Sequence, residues 1–155
     1  KDYFTKEIGM QIVSNELVIE RNGKRFYLHH GDGLGPGDKK YKFLRKVFRN
    51  PICQWLFGIL PPKMGMGIAH RWSAHSKASS LAEEGFLGND KEWLMVYAKE
   101  QLQKQHDYFV FGHRHLPLQV KLSDNSTYIN TGEWMNHDSY AVFDGQELKL
   151  EYFEK

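Results

Sequence analysis

A chain of 155 residues, 41% hydrophobic and 14% aromatic, has the material for one folded domain or part of one, which excludes a disordered segment. Its formal net charge of +2 hides an uneven distribution: residues 39–77 hold nine of the 21 basic residues and none of the 19 acidic ones. Cys53 is the only cysteine, which excludes an internal disulfide framework and fits a reducing compartment.

In chain order, Lys1 to Met10 reads as a short helix or loop with Tyr3, Phe4 and Ile8 turned inward. Ile12-Val13 and Leu17-Val18-Ile19 are rich in β-formers. Asn22-Gly23, between Arg21 and Lys24, predicts a type I′ hairpin turn. Phe26-Tyr27-Leu28 then runs into His29-His30-Gly31-Asp32. Glycines at 31, 33, 35 and 37 make the next stretch a loop whose backbone can approach a phosphate or a metal. Without a closing Gly-Lys-Ser/Thr it is not a Walker loop. Asp32 reads as a turn-stabilising carboxylate in preference to a metal ligand, and Asp38 as the N-cap of the next helix.

Phe43, Leu44, Val47 and Phe48 recur at helical spacing among basic residues up to Asn50-Pro51. The block 39–77 is a candidate surface for nucleic acid, anionic lipid or a phosphorylated substrate. Ile52 to Leu60 is apolar and stops at Pro61-Pro62. In Lys63 to Ser80, Gly65 and Gly67 are expected to bend a helix or delay its start. Gly88-Asn89-Asp90 reads as the N-cap of a helix reaching about Gln105. Tyr108-Phe109-Val110-Phe111 is a buried strand ending at Gly112-His113-Arg114-His115. The rest is strand: Leu118 to Leu122, Thr127 to Asn130, and a hairpin of Tyr140–Phe143 with Glu147–Phe153 across Asp144-Gly145. Glu133 to Asp138 is a connecting loop, from which His137 and Asp138 are the residues able to join a site.

Two strands that both end in histidine and glycine form a metal-site pattern. Carboxyl ends of strands are where open α/β sheets bind ligands. In an extended segment His113 and His115, at i and i+2, lie on the same side, so both rings are expected to face one site, about 7 Å apart at the backbone, which suits one ligand on each of two metals. Imidazole alone does not choose among zinc, iron, manganese and nickel.

His30-Gly31-Asp32 and Gly112-His113-x-His115 resemble the last two motifs of the calcineurin-like metallophosphoesterases. Asp38, eight residues after His30, followed by Tyr41, makes the chain similar to one family among them, the UDP-2,3-diacylglucosamine hydrolases of lipid A synthesis. The resemblance implies an α/β (α+β) fold, the C-terminal part of a four-layer αββα sandwich with a helical cap insertion at about 39–87. It implies pyrophosphate cleavage giving UMP and diacylglucosamine 1-phosphate. Two divalent ions, manganese expected, would be held by His30 and His113 at one site and His115 at the other. Asp38, Ser76, Lys77 and Ser80 would meet the substrate headgroup. The family has arginine and asparagine where this chain has Ser73 and Ser80. The family's Asp-x-His, Gly-Asp and Gly-Asn-basic-Asp motifs are expected upstream of Lys1, so residues 1–155 alone are expected to be inactive or nearly so.

The cap is expected to hold acyl chains, with ordinary core packing as the alternative. An anionic membrane surface is the expected partner, nucleic acid is not, and the expected location is cytoplasmic and peripheral to the inner membrane. Two other functions stay open: a metallophosphoesterase for nucleotides or phosphoproteins, and a basic membrane- or nucleic-acid-binding module without catalysis. The second leaves the two histidine-ended strands unexplained.

Overall fold

The computed structural model describes residues 2–37, 39–80 and 85–153, with side chains except at 2, 40–41 and 74–80. The chain divides into two compact units, one made of Lys1–Gly31 with Ala98–Lys155 and the other of Asp32–Tyr97.

The first unit is built on strands. Helix α1 (Asp2–Glu7) precedes β1 (Leu17–Arg21) and β2 (Lys24–His29). Asn22 and Gly23 both have positive φ, 50° and 74°, as a type I′ turn requires. Later come β3 (Tyr108–Phe111), β4 (Pro117–Ser123), β5 (Ser126–Thr131), β6 (Ser139–Phe143) and β7 (Leu148–Tyr152). Five strands form one sheet in the order β1-β2-β3-β5-β4, and β6-β7 form a separate antiparallel pair. Strands β2, β3 and β5 run parallel, so their carboxyl ends share one edge.

Period-2 alternation divides the side chains of this sheet. Phe26, Tyr108 and Ile129 cluster with Leu148 of β7. Ala141 and Phe143 of β6 and Leu150 of β7 pack on that cluster. Tyr27, Phe109, Phe111 and Tyr128, from the alternate positions, are in mutual ring contact. Burying an aromatic side chain contributes roughly 1.5–3 kcal/mol, and a one-residue slip would turn every one of them to the wrong face. The register is therefore fixed, with His29 opposite Phe111 and Phe111 opposite Asn130.

Three expectations need correction, two in this unit and one in the other. Tyr3, Phe4 and Ile8 are exposed, because α1 is too short to bury a face. Ile12-Val13 is not strand; β1 begins at Leu17. The helix expected from Asn89 or Asp90 begins at Trp93 as α5 (Trp93–Glu100), since Gly88–Asp90 forms a turn closed by Lys91 and Glu92 N–H on the Gly88 carbonyl.

His106 is buried before β3 against Tyr27 and Phe109, and its Nδ1 has no hydrogen-bond partner among the described residues. Burial lowers its pKa below the ordinary 6.5; Arg25 and Lys104 add to this and Asp107 opposes it. A folded value below the unfolded one gives stability that is complete above the unfolded pKa and is withdrawn as pH falls below it. Urea midpoints are expected to drop from about pH 7.5 to about 5.5, with a smaller drop in His106→Phe, which keeps the ring contacts. An equal drop in both would show that folding leaves the His106 pKa unshifted.

In the second unit, α2 (Lys39–Arg49), α3 (Pro51–Gly58) and α4 (Pro62–Ser80) follow the glycine-rich loop. Asn50 separates the first two: its side chain caps α3 by accepting from Ile52 and Cys53 N–H, and Pro51 is tolerated in the first turn. Helix α4 starts at Pro62 despite Gly65 and Gly67. The insertion expected at about 39–87 lies inside this unit.

Candidate metal centre

The parallel register brings the ends of β2 and β3 to the same rung. His30 and Gly112 are the next residues beyond the paired His29 and Phe111. Gly112 N–H continues the ladder by donating to the His30 carbonyl at 3.0 Å. The His30 ring sits over Gly112, where an added Cβ would lie 3.5 Å from its Nδ1. The His30 and His113 ring centroids are 5.3 Å apart with planes at 70°. His30 is exposed and His113 half-buried, so both rings are accessible.

The loop after Gly112 is not extended. Arg114 N–H donates back to the Gly112 carbonyl at 2.7 Å, and His113 between them has φ 65°. That is a three-residue γ-turn of the strained, positive-φ hand. His115 is also left-handed, at φ 51°. The i, i+2 argument for one-sided imidazoles therefore fails, because it assumes strand dihedrals. A non-glycine residue held in this region costs of order 1–3 kcal/mol and persists only where surrounding bonds over-determine it.

Those bonds come from β5. The Asn130 amide donates to the Gly112 carbonyl at 2.8 Å, and its side-chain oxygen accepts from Gly132 N–H at 3.0 Å. Thr131 hydroxyl donates to the Phe111 carbonyl at 3.3 Å, and Ser139 hydroxyl to the Thr131 carbonyl at 2.7 Å. On the β2 side, His29 Nδ1 accepts from Gly31 N–H at 2.7 Å, which places the His29 proton on Nε2. Nothing in the sequence marks Asn130 or His29 as supporting residues: Asn130 reads as a strand end, and His29 only as the residue before His30.

Two imidazoles on one ion, at metal–nitrogen distances of about 2.1 Å, hold their ring centroids roughly 5 Å apart. The His30–His113 pair fits that requirement. Among the described residues, no group of three or more His, Cys, Asp or Glu side chains is gathered to hold a metal ion, so the pair does not close a site by itself.

The connecting loop satisfies itself. Burial raises the Glu133 pKa, but hydrogen bonds from His137 and from Met135 and Asn136 N–H outweigh it and hold the carboxyl at about 2. His137 is tied to Glu133, and the Asp138 carbonyl accepts from Phe153 N–H.

In the second unit, the glycines make room for side chains. Arg45 Nε pairs with the Asp32 carboxylate at 3.1 Å, and its Nη1 donates to the Asp32 carbonyl at 2.8 Å. An added Cβ on Gly33 would lie 2.5 Å from that Nη1. Lys42 Nζ donates to the Gly35 carbonyl, and Gly35 and Gly37 pack under Trp93. Asp32 is thus partnered by a helix residue, not by a local turn. Lys42 and Arg45, expected on the basic face, are turned to the loop. Asp38 lies outside the described residues, as do the side chains of Ser76, Lys77 and Ser80. Trp55 is 65% exposed, and Phe57 and Trp72 are also exposed, so these three do not form a closed core.

The mixed α/β architecture, with a mixed sheet and five α-helices among the described residues, is consistent with a partial metallophosphoesterase fold. No protein-family model matches the chain. Curated homologues are named UDP-2,3-diacylglucosamine hydrolase. One, from Porphyromonas gingivalis, is 34% identical over 99% of this chain and 64% of its own length. Another, from Photorhabdus laumondii, is 30% identical over 95% of this chain and 62% of its own length. A third, from Escherichia coli O139:H28, is 29% identical over 97% and 63%. The chain thus spans less than two thirds of each, and the match falls on their C-terminal part.

Proposed function

We propose that this chain supplies the C-terminal part of a UDP-2,3-diacylglucosamine hydrolase, which cleaves the pyrophosphate bond to release UMP and 2,3-diacylglucosamine 1-phosphate in lipid A synthesis. The adjacency of His30 and His113 at the carboxyl ends of the parallel strands β2 and β3 carries the reading, together with similarity along almost the whole chain to proteins of that name. His30 and His113 would serve as neutral donors to one divalent ion and His115 to a second, with manganese the expected metal. Bound ions of this kind lower the pKa of a water and neutralise charge on the phosphoryl oxygens. The chain's own contribution is to hold the imidazoles in place before substrate arrives. Asp38, Ser76, Lys77 and Ser80 would contact the headgroup.

Exposed apolar side chains on α3 and α4 support an amphiphilic substrate over a soluble nucleotide. The test is manganese-dependent hydrolysis of UDP-2,3-diacylglucosamine by residues 1–155 and by the same chain joined to its upstream sequence. Turnover is expected from the longer protein and little or none from 1–155. Absence of turnover in both would overturn the reading.

The expected location is cytoplasmic and peripheral to the inner membrane. No helix among the described residues is long and apolar enough to cross a membrane. Lys39, Lys46 and Arg49 on α2 remain to meet an anionic surface. Reversing all three charges is expected to weaken binding to phosphatidylglycerol vesicles, and raising salt to about 0.5 M to do the same. Binding insensitive to both would leave apolar contact as the sole attachment.

A further inference from the structure

We infer that Asn130 is the positioning residue of the His113 turn; the inference rests on the metal-site reading above. Two bonds converge on the carbonyl of Gly112. It accepts Arg114 N–H to close the turn, and it accepts the Asn130 amide at 2.8 Å. Gly112 N–H is at the same time bonded to the His30 carbonyl. The other end of the Asn130 side chain is engaged as well, by Gly132 N–H at 3.0 Å. Asn130 is 1% exposed, so water does not compete for either bond.

The partners fix the orientation of the amide. A carbonyl faces its nitrogen and an N–H faces its oxygen, so a flipped amide would lose both bonds. Only a side chain with a donor and an acceptor at this reach can bond the Gly112 carbonyl and Gly132 N–H at once. Gly132 suits the turn that presents this N–H: φ there is 71°, and an added Cβ would lie 2.5 Å from Ser139 Oγ. The Asn130 bond supplies the over-determination that a strained turn needs. It directs the His113 imidazole toward His30 without touching either ring through any bond described above.

The first test uses the metal-free chain and the nuclear Overhauser contact between the His30 and His113 ring protons. Asn130→Leu keeps the branched four-atom shape and removes both bonds. Asn130→Asp keeps the acceptor for Gly132 and removes the donor to Gly112. Both are expected to lose the ring contact while the amide resonances of β1, β6 and β7 stay in place. Thr131→Val, which removes the neighbouring bond to Phe111, is expected to retain it. A wild-type ring contact in either folded Asn130 variant would overturn the inference. Unfolding of both variants would also count against it, since Asn130 would then be a residue of the sheet as a whole.

The second test uses the longer protein. Asn130→Leu is expected to raise the manganese concentration for half-maximal hydrolysis at least tenfold, with turnover recovering at saturating metal. Unchanged manganese dependence would overturn the positioning role. If the wild-type protein hydrolyses nothing, the proposed function fails, and the ring contact still decides the role of Asn130.

Discussion

His113→Ala is expected to lower manganese-dependent hydrolysis of UDP-2,3-diacylglucosamine by more than ~100-fold in the protein carrying its upstream sequence. Removing a supporting group around a metal costs 10–100-fold, and removing a donor costs more. The urea midpoint is expected to move little. His113 is only half-buried, and alanine faces the same left-handed backbone with a modest added cost. His30→Ala is expected to behave alike. Rate and stability falling together would mean that the imidazoles hold the loop and not the metal. Undiminished turnover would remove the metal reading for these two residues.

Gly35→Ala is expected to destabilise the unit Asp32–Tyr97 by about 2–4 kcal/mol, read by hydrogen exchange of its amides. Two costs act together. The backbone is at φ 68°, and the new Cβ would lie 2.3 Å from the Trp93 backbone oxygen, which cannot rotate away as a side chain does. The same substitution at Gly67, inside α4 with nothing within 4 Å, is expected to stabilise by up to ~1 kcal/mol. Equal protection in the Gly35 variant and the parent would show that the loop and Trp93 do not pack as described.

Local chemistry was legible in the sequence wherever one residue pair decides the outcome. Asn22-Gly23 and Asp144-Gly145 gave their hairpins, and Tyr108–Phe111 gave the central strand. The end of that strand was legible as a place and illegible as a shape. The His-x-His spacing carries a side-chain direction only if the backbone stays extended, and here the Gly112 carbonyl captures Arg114 N–H. Asn130 is illegible in the sequence because the carbonyl it bonds, that of Gly112, lies beyond the end of another strand. In the sequence, glycines 33, 35 and 37 suggest close approach to a ligand, whereas room for Arg45 and Trp93 explains them in this unit. Asp32 was assigned a nearby backbone partner, and its ion-pair partner is 13 residues on, across a loop no local rule spans.

The pairing of β2 with β3 also sets an order of assembly. The hairpins β1-β2, β4-β5 and β6-β7 each close over a short turn and are expected to form early. Joining β2 to β3 requires ends as far apart as Lys24 and Asp107, which are 83 residues distant in sequence. Loop-closure entropy makes such a contact slow to form, and it is rewarded only once both strands are in register. His30 and His113 lie on opposite sides of that seam. During synthesis His30 therefore emerges long before its partner. The imidazole pair is then among the last features of the sheet to appear, and opening of this one seam is enough to dissolve it while the three hairpins persist.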